Sequence, residues 1–276
     1  MPRAIPNAPI KLSAGAGRGF WEVSVLAEDA HLLALDKPAG LLVSPDRYDR
    51  ERPNLMRLLH EGIEARKPWA VGRGITYLAN AHRLDFETSG VLLLAKDRPT
   101  LVSVAEMFGN GVPSKTYLAL VSGSPPPEFE IDLKLRPDRE DPSRMRWATD
   151  GKKALTRFVV REDFGGMALV ECRPETGRTH QIRVHLMAAG FPILGDPLYG
   201  GGRRLYLSQL KRGYRPKPGE EERPLTPRLA LHAWRLGLPH PATGEPFAAE
   251  APVPKDMEVA LKLLRKHGHG GRGPVG

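Results

Sequence analysis

The sequence predicts an α+β protein built on a large mixed, mostly antiparallel β-sheet with flanking helices. Most apolar stretches alternate with polar residues at the two-residue period of half-buried strands, and successive strands are close enough in sequence to pair as antiparallel neighbours. Stretches with the three- and four-residue spacing of helices are fewer and lie between these strands. We therefore expect helices that pack against a sheet.

The first half of the chain places strands and helices between clear turn signals. Alternating apolar residues, leucine spacing, and breaks at glycine and proline locate each element. The predicted elements are two strands within 21–37 that turn at 28–30, a helix over 53–67, a buried strand in GVLLLAKD at 90–97, and a short helix from Pro99 to Phe108 ended by Gly109.

The second half adds a strand and a hairpin. KTYLALVSG at 115–123 alternates and is followed by a proline-rich turn, which predicts a strand. Residues 152–174 alternate on both sides of Gly165-Gly166, which predicts a β-hairpin. The only cysteine, Cys172, falls in this hairpin and is predicted to be a core thiol, so an intrachain disulfide and paired-thiolate zinc sites are excluded.

One further helix is predicted from Thr179 to Gly190, THQIRVHLMAAG. Thr179 is placed to cap its start, and Gly190 is placed to end it in a left-handed conformation. Arg183 lies off the apolar face of this helix. Because the start of a helix carries a partial positive charge, Arg178, the cap and Arg183 together suit an anion.

Composition predicts a single folded domain with basic ends. We predict a flexible basic leader over 1–19, one domain over 20–265 with a basic insertion at about 201–228, and a basic glycine-rich tail over 266–276. No internal repeat or shift in composition marks another boundary. The chain has neither an apolar run of membrane-helix length nor a signal-peptide core, so we expect a cytoplasmic protein without membrane contacts.

The charge balance points to a polyanionic partner. Lysine and arginine number 41 against 32 acidic residues, which gives a formal net charge of +9. The segment 203–228 alone has a net charge of +5, and the longer stretch 199–233 interleaves Tyr199, Tyr206 and Tyr214 with basic residues. This composition suits phosphate contacts and base stacking. The alternative is a solvated insertion with no role in binding.

A second cluster of polar residues lies in AHRLDFETSGVLLLAKD at 81–97. Asp85 occupies a short polar loop before a strongly apolar strand, a position at which scaffolds present catalytic groups. Two interpretations of Asp85 are open, a catalytic carboxylate or an Asx-turn residue that binds main-chain N–H groups. Glu87 is only two residues away, so two-carboxylate hydrolysis is poorly supported. The motifs GxSxG, Walker A and HExxH are absent from the sequence.

HRLDFETSG at 82–90 resembles the signature of the RluA-type pseudouridine synthases. Further blocks resemble the family in the family's order, and together the resemblance runs from about residue 20 to about residue 265. Ser44 departs from the histidine that many relatives carry at this position. The blocks are DKPAGLLVSP at 36–45, SKTYLALVSG at 114–123, ETGRTHQIRVHL at 175–186, PILGDPLYGG at 192–201 and LALHA at 229–233.

The resemblance implies a pseudouridine synthase fold with a central cleft, and a catalytic domain at 20–265. It implies that Asp85 is the nucleophile, that Arg183 pairs with this carboxylate, and that Tyr117 stacks on the uracil near C5. Arg83 would fill the space left by the flipped nucleotide. Further substrate-binding candidates are Leu231, Arg178 and His82, and RNA-binding candidates in the basic insertion are Lys211, Arg212, Arg215 and Tyr214.

The implied reaction is the isomerisation of specific uridines in structured RNA to pseudouridine. Substrate and product are isomers, so we expect no metal, nucleotide or redox cofactor. Ribosomal RNA is the favoured substrate and transfer RNA the alternative, and we expect a monomer without an obligate protein partner. Attack on the ribose and removal of a ribose proton are both open as the role of the carboxylate. A non-catalytic RNA-binding protein and a base-releasing hydrolase are the competing functions.

Overall fold

The structure, a computed structural model, describes residues 8–15, 19–46, 49–216 and 219–268. These residues form twelve strands and six α-helices, and nine of the strand pairs among them are antiparallel. The predicted α+β class with a mostly antiparallel sheet is confirmed. No helix in the described part of the chain is long and apolar enough to cross a membrane.

The strands are β1 Ile10–Ala14, β2 Gly19–Glu28, β3 Leu32–Lys37, β4 Ala79–Asn80, β5 Ser89–Ala95, β6 Ser114–Ser122, β7 Glu128–Pro137, β8 Met145–Trp147, β9 Lys152–Asp163, β10 Met167–Pro174, β11 Leu231–Pro239 and β12 Pro246–Glu250. The helices are α1 Leu55–Glu64, α2 Pro68–Gly72, α3 Arg98–Gly109, α4 Gln181–Ala188, α5 Leu207–Leu210 and α6 Lys255–His267.

The chain divides into two compact units, unit 1 (Met1–Ser114 and Ala233–Pro252) and unit 2 (Lys115–His232 and Val253–Gly276). This differs from the expected single domain over 20–265. Each unit is assembled from two separate stretches of chain, so no shift in composition along the sequence marks the boundary between them.

Unit 1 is organised around the buried strand β5. The strand order is β1-β2-β3-β5-β11, with β4 also paired to β5 and β12 to β11. Every residue of β5 is buried, which matches its nearly continuous apolar sequence. Val91 and Leu93 of this strand pack in a core with residues of β3, α3, β11 and β12; the buried members are Leu32, Ala34, Val91, Leu93, Val104, Leu236, Leu238, Ala249 and Ala251.

The predicted leader is wrong over residues 10–14, which form strand β1. Ile10 lies opposite Val23 of β2 and is fully buried, and Leu12 is buried beside it. Their two-residue spacing in IKLSA is a strand pattern that the surrounding proline and glycine residues obscured. The remainder of the predicted leader includes 1–7 and 16–18, which lie outside the described residues.

Unit 2 contains strands in the order β6-β10-β9-β7-β8. The predicted hairpin about Gly165-Gly166 is confirmed as β9 and β10. Cys172 of β10 is fully buried, as predicted, and burial raises the pKa of its thiol well above the ordinary value. The predicted insertion lies in this unit, but Lys217 and Pro218 are outside the described residues, as are residues 269–276 of the predicted tail.

Helix α4 begins two residues later than predicted, and Thr179 does not cap it. His180 occupies the cap position in the left-handed conformation, with φ of +53°, and makes no side-chain capping bond. The Gln181 side chain instead accepts from the Arg178 main-chain N–H at 3.0 Å, so the turn before the helix is held from inside the helix. Gly190 follows the helix at a φ of +83°, as the sequence predicts.

Candidate active site

Asp85 lies in unit 1, in the loop between β4 and β5. Its side chain is half-buried, its neighbour Leu84 is buried, and Arg83 is exposed. The main-chain carbonyl of Asp85 accepts from the Thr88 N–H at 3.2 Å, which closes the turn. The turn therefore forms through the main chain, and the exposed Arg83 has the accessibility that its predicted contact with RNA requires.

The loop that carries Asp85 is anchored by the buried Lys37. The Lys37 side chain is fully buried at the end of β3, and its Nζ donates to the carbonyls of Pro38 and Leu41, each at 2.8 Å. The same Nζ lies 3.4 Å from the carbonyl of Phe86, which also accepts from the Gly40 N–H at 2.9 Å. The residue that follows Asp85 is thus bound to the loop after β3.

His82 also holds this loop to the strands of unit 1. Its Nε2 accepts from the Leu93 main-chain N–H at 2.9 Å, and its ring stacks on Phe108 with centroids 4.6 Å apart. These contacts place His82 in the framework of the loop, and its predicted contact with substrate stays a prediction.

Gly90 explains why glycine follows the Asp85 loop at the start of β5. Its φ is +111°, a conformation that side chains with a Cβ rarely adopt. A Cβ at this position would lie 2.1 Å from the carbonyl oxygen of Ala233 in β11. The close approach of β5 to β11 therefore requires glycine here.

Unit 2 brings Tyr117 and helix α4 to the same face of its sheet. Tyr117 of β6 lies opposite Cys172, which lies opposite Phe158 of β9, so these three side chains project from one face. Thr156 projects from this face too, because it is two residues before Phe158. Its hydroxyl bonds with His185 Nδ1 of α4 at 3.0 Å. Helix α4 thus packs on the face that presents the half-buried Tyr117.

The two histidines of the predicted helix are structural. Burial lowers the pKa of His185 to about 4, so the imidazole is neutral near pH 7 and bonds with Thr156. His180 Nδ1 lies 3.0 Å from the hydroxyl of Tyr199. Contacts within the protein therefore account for both imidazoles.

Arg183 of α4 is buried and forms a two-contact ion pair with Asp196. Arg183 Nε donates to Asp196 Oδ2 and Nη2 donates to Asp196 Oδ1, both at 2.8 Å. Asp196 is fully buried, and its Oδ1 also accepts from the main-chain N–H groups of Leu198 and Tyr199. The planar guanidinium is therefore held in one orientation by a carboxylate that is itself fixed.

The predicted anion site formed by Arg178, the cap and Arg183 is revised by this pair. Asp196 binds one edge of the Arg183 guanidinium, whereas Arg178 is exposed and its Nε donates to the Lys153 carbonyl at 3.1 Å. The predicted contact of Arg178 with substrate stays a prediction.

Tyr199 is a core residue and not a stacking platform, which corrects its inclusion among the RNA-stacking tyrosines. It is only 5% exposed, and the Arg183 guanidinium lies 5.0 Å from its ring centroid. Its hydroxyl accepts from the Met145 N–H at 2.7 Å, and burial raises the pKa of this phenol. The guanidinium of Arg183 thus lies over the ring of Tyr199, which packs against it.

The remaining predicted residues lie in unit 2. Leu231 begins β11 and is buried. Lys211, Arg212 and Arg215 follow α5 and are exposed, and Tyr214 beside them is half-buried. The exposed side chains are accessible to a polyanion, as the sequence analysis requires.

Comparison with known proteins identifies the family. A family model for RNA pseudouridylate synthase matches residues 31–188. Ribosomal large subunit pseudouridine synthase D of Nitrosomonas europaea is 35% identical over 248 residues, which is 90% of this chain and 67% of that protein. The solved structure of human RNA pseudouridylate synthase domain containing 4 has a TM-score of 0.67 at 29% identity, and the match covers 87% of this chain and 92% of that one.

This chain belongs to the RNA pseudouridylate synthase family. The resemblance read from the HRLDFETSG signature and its companion blocks is confirmed. A second relative, the uncharacterized RNA pseudouridine synthase YlyB of Bacillus subtilis, is 35% identical over 249 residues, which is 90% of this chain and 74% of that protein. As a family member the chain is an isomerase that converts uridine in RNA to pseudouridine.

Sequence reasoning missed three residues that support the synthase's candidate catalytic groups. Asp196 lies in the block PILGDPLYGG and Lys37 in DKPAGLLVSP, but neither was given a role. Tyr199 was given the wrong one. For Asp196 and Lys37 the available signal was a charge inside an otherwise apolar or glycine-rich block, because a charge in such a setting is buried only with a partner.

Proposed function

We propose that this pseudouridine synthase modifies specific uridines of large-subunit ribosomal RNA, with Asp85 as the nucleophile. Two observations support the substrate. The protein of Nitrosomonas europaea is named for the ribosomal large subunit, and the chain has a net charge of +9. The observation that carries the assignment of Asp85 is its place in HRLD, on a loop tied by Lys37 and Gly40 to the end of β3.

Asp85 and Tyr117 have different roles in the proposed reaction. Asp85 breaks the bond between ribose and base, and Tyr117 retains the detached base. Asp85 attacks the ribose carbon that bears the uracil, which breaks the bond to the base nitrogen N1. The detached uracil turns so that its C5 bonds to the same ribose carbon and displaces the Asp85 carboxylate, the C5 proton leaves, and N1 gains a proton. Tyr117 stacks on the uracil during this rotation, since an aromatic ring holds a planar base without fixing its orientation.

Arg183 is the proposed partner of the Asp85 carboxylate. The planar guanidinium of an arginine binds a carboxylate through two parallel donors and fixes its orientation. Asp196 binds two of the nitrogens of Arg183 and fixes the plane of the group. The support for this role is the match of Arg183 to the family's helix block, together with its burial and fixed orientation.

Base flipping is the proposed route by which a uridine in structured RNA reaches Asp85. A base inside a stem is inaccessible to a side chain until it is extruded. Arg83 is exposed and only two residues from Asp85, which suits it to fill the space that the extruded nucleotide leaves. Leu231 is proposed to pack against the site.

The substrate proposal is tested by tritium release from RNA labelled at C5 of uridine. Large-subunit ribosomal RNA and transfer RNA, each from cells lacking the gene, are incubated separately with the protein. We expect release from the ribosomal RNA, because forming the C5 bond expels the C5 hydrogen. Release from transfer RNA alone would contradict the proposed substrate, and free uracil among the products would identify a hydrolase instead.

We expect the exposed basic side chains of the insertion to contribute to RNA binding through phosphates. Replacing Lys211, Arg212 and Arg215 together with alanine should weaken binding to ribosomal RNA and make it less dependent on salt. The slope of log affinity against log salt concentration should become shallower by about 0.7–0.9 for each phosphate that is no longer neutralised. The measurement is the affinity between 50 and 200 mM salt. An unchanged slope would remove this segment from the interface. Replacing Lys255, exposed at the start of α6, serves as the single-charge control.

A further inference from the structure

A half-buried lysine lies beside Tyr117 on the same face of the unit 2 sheet. Lys115 precedes Tyr117 by two residues in β6, and strand geometry therefore projects both side chains from the face that α4 covers. Both side chains are partly exposed, whereas Leu118, Ala119 and the following residues of the strand are buried. Lys115 thus stands at the open end of the strand that presents the proposed uracil-stacking tyrosine.

The ammonium group of Lys115 is poorly compensated. Its Nζ lies 3.5 Å from the Thr176 carbonyl oxygen, a distance at the long limit for a hydrogen bond. Across the described ranges, no carboxylate forms an ion pair with it. Burial lowers the pKa of this lysine, as expected for a cation removed from water without a counter-charge. The contacts that Lys115 makes within the described residues therefore do not balance its positive charge.

The carbonyl that Lys115 approaches belongs to a rigid turn. The Thr176 hydroxyl donates to Gln181 Oε1 at 2.7 Å and accepts from the Leu155 N–H at 3.1 Å. Gln181 in turn donates to the Leu155 carbonyl and to the Thr156 hydroxyl. This network fixes the turn between β10 and α4 that the Lys115 head group approaches.

We propose that Lys115 is a positioning residue that binds a backbone phosphate of the target nucleotide while Tyr117 holds its base. The inference rests on the proposed function, which brings an RNA chain to the face that carries Tyr117. A phosphate oxygen supplies the negative charge that the ammonium lacks, and a lysine binds phosphate as a point charge with three donors. The spacing of two residues along one strand suits a contact to the sugar-phosphate chain of the same nucleotide.

The test compares Lys115→Gln with the native protein in steady-state tritium release from large-subunit ribosomal RNA labelled at C5 of uridine. We expect KM to rise about tenfold or more and kcat to change less than about threefold, because the variant cannot make a charged hydrogen bond to bound RNA. The logarithmic salt dependence of kcat/KM should fall by about 0.7–0.9, the value for one neutralised phosphate. Lys115→Arg should keep the salt dependence.

A stability measurement separates this role from a structural one. A structural cation destabilises the protein when it is removed, whereas removing an uncompensated ammonium should leave the urea midpoint unchanged or raise it. Lys115→Met, which retains most of the side-chain volume, is the second variant that removes the charge. Lys152→Gln is the matched control, since Lys152 is an exposed lysine on β9 of the same unit, and it should behave as the native protein does.

Three outcomes would overturn the inference. They are a native KM and salt dependence in both Lys115→Gln and Lys115→Met, a loss confined to kcat, and a fall in the urea midpoint that accounts for the loss of activity. Failure of the native protein to release tritium from this RNA would instead count against the proposed substrate. The two proposals therefore fail in different measurements.

Discussion

Replacing Asp85 with asparagine should abolish tritium release from C5-labelled RNA while leaving RNA binding intact. Asparagine has nearly the same size and shape as aspartate but lacks the charge and the nucleophilic oxygen. Removal of a nucleophile costs at least about 10⁴-fold in kcat in enzymes that depend on one. The turn around Asp85 should persist, because it is closed through the main-chain carbonyl and anchored at Phe86 by Lys37 and Gly40.

Two measurements check this prediction. Single-turnover tritium release reports the chemical step, and the affinity of the Asp85→Asn variant for the same RNA reports binding. Glu64→Gln is the matched control, because it also removes one carboxylate charge from unit 1 but lies exposed at the end of α1. Native release by the Asp85 variant would eliminate Asp85 as the nucleophile. Loss of release together with loss of binding would indicate a damaged loop.

Replacing Asp196 with asparagine should lower the free energy of unfolding by about 3–5 kcal/mol, the cost of leaving a buried charge without its partner. Arg183 and Asp196 are both almost completely buried, and their two contacts are each 2.8 Å long. An asparagine presents an NH₂ group to the guanidinium where the carboxylate presented an oxygen. We expect kcat to fall as well, since the proposed partner of Asp85 loses its fixed orientation.

The stability loss is measured by urea unfolding. The dependence of the unfolding free energy on urea concentration should be the same in the variant and the native protein. Glu130→Gln is the control, because it breaks the exposed pair with Arg157 and should change stability by less than about 1 kcal/mol. Adding Arg183→Met to Asp196→Asn removes the uncompensated charge and should recover part of the stability but none of the activity. A double variant no more stable than Asp196→Asn would show that the charge is not the cause.

The strands were predictable where the apolar and polar residues of a strand form a recognisable pattern within its own sequence. The continuous apolar run of β5 predicts burial on both faces, and the alternating first half of β9 predicts burial on one face. Strand β1 was missed because its five residues lie among prolines and glycines. The start of α4 was misplaced, since a left-handed histidine at the cap has no sequence signal and depends on contacts such as that with Tyr199.

The candidate catalytic residues were predictable only through motifs, and their supporting residues were not. Asp85 in HRLD and Arg183 in the helix block are recognisable because both lie in blocks that resemble the family's motifs, and the family model covers both residues. Asp196 follows Arg183 by thirteen residues, a spacing that no local rule connects. Tyr199 looked like a surface stacking residue because its neighbours in sequence are basic, whereas its ring is buried beside Arg183.

The sequence by itself determined the class of the fold, the family and the position of the nucleophile candidate. These follow from short-range periodicity and from the order of motifs, both of which are properties of the linear chain. Only the tertiary structure decided which charges are compensated. It pairs Arg183 with Asp196, surrounds Lys37 with carbonyls and leaves Lys115 with one long contact. The physical reason is that burial and charge pairing join residues far apart in the chain, and their energies depend on distances that composition and spacing do not contain.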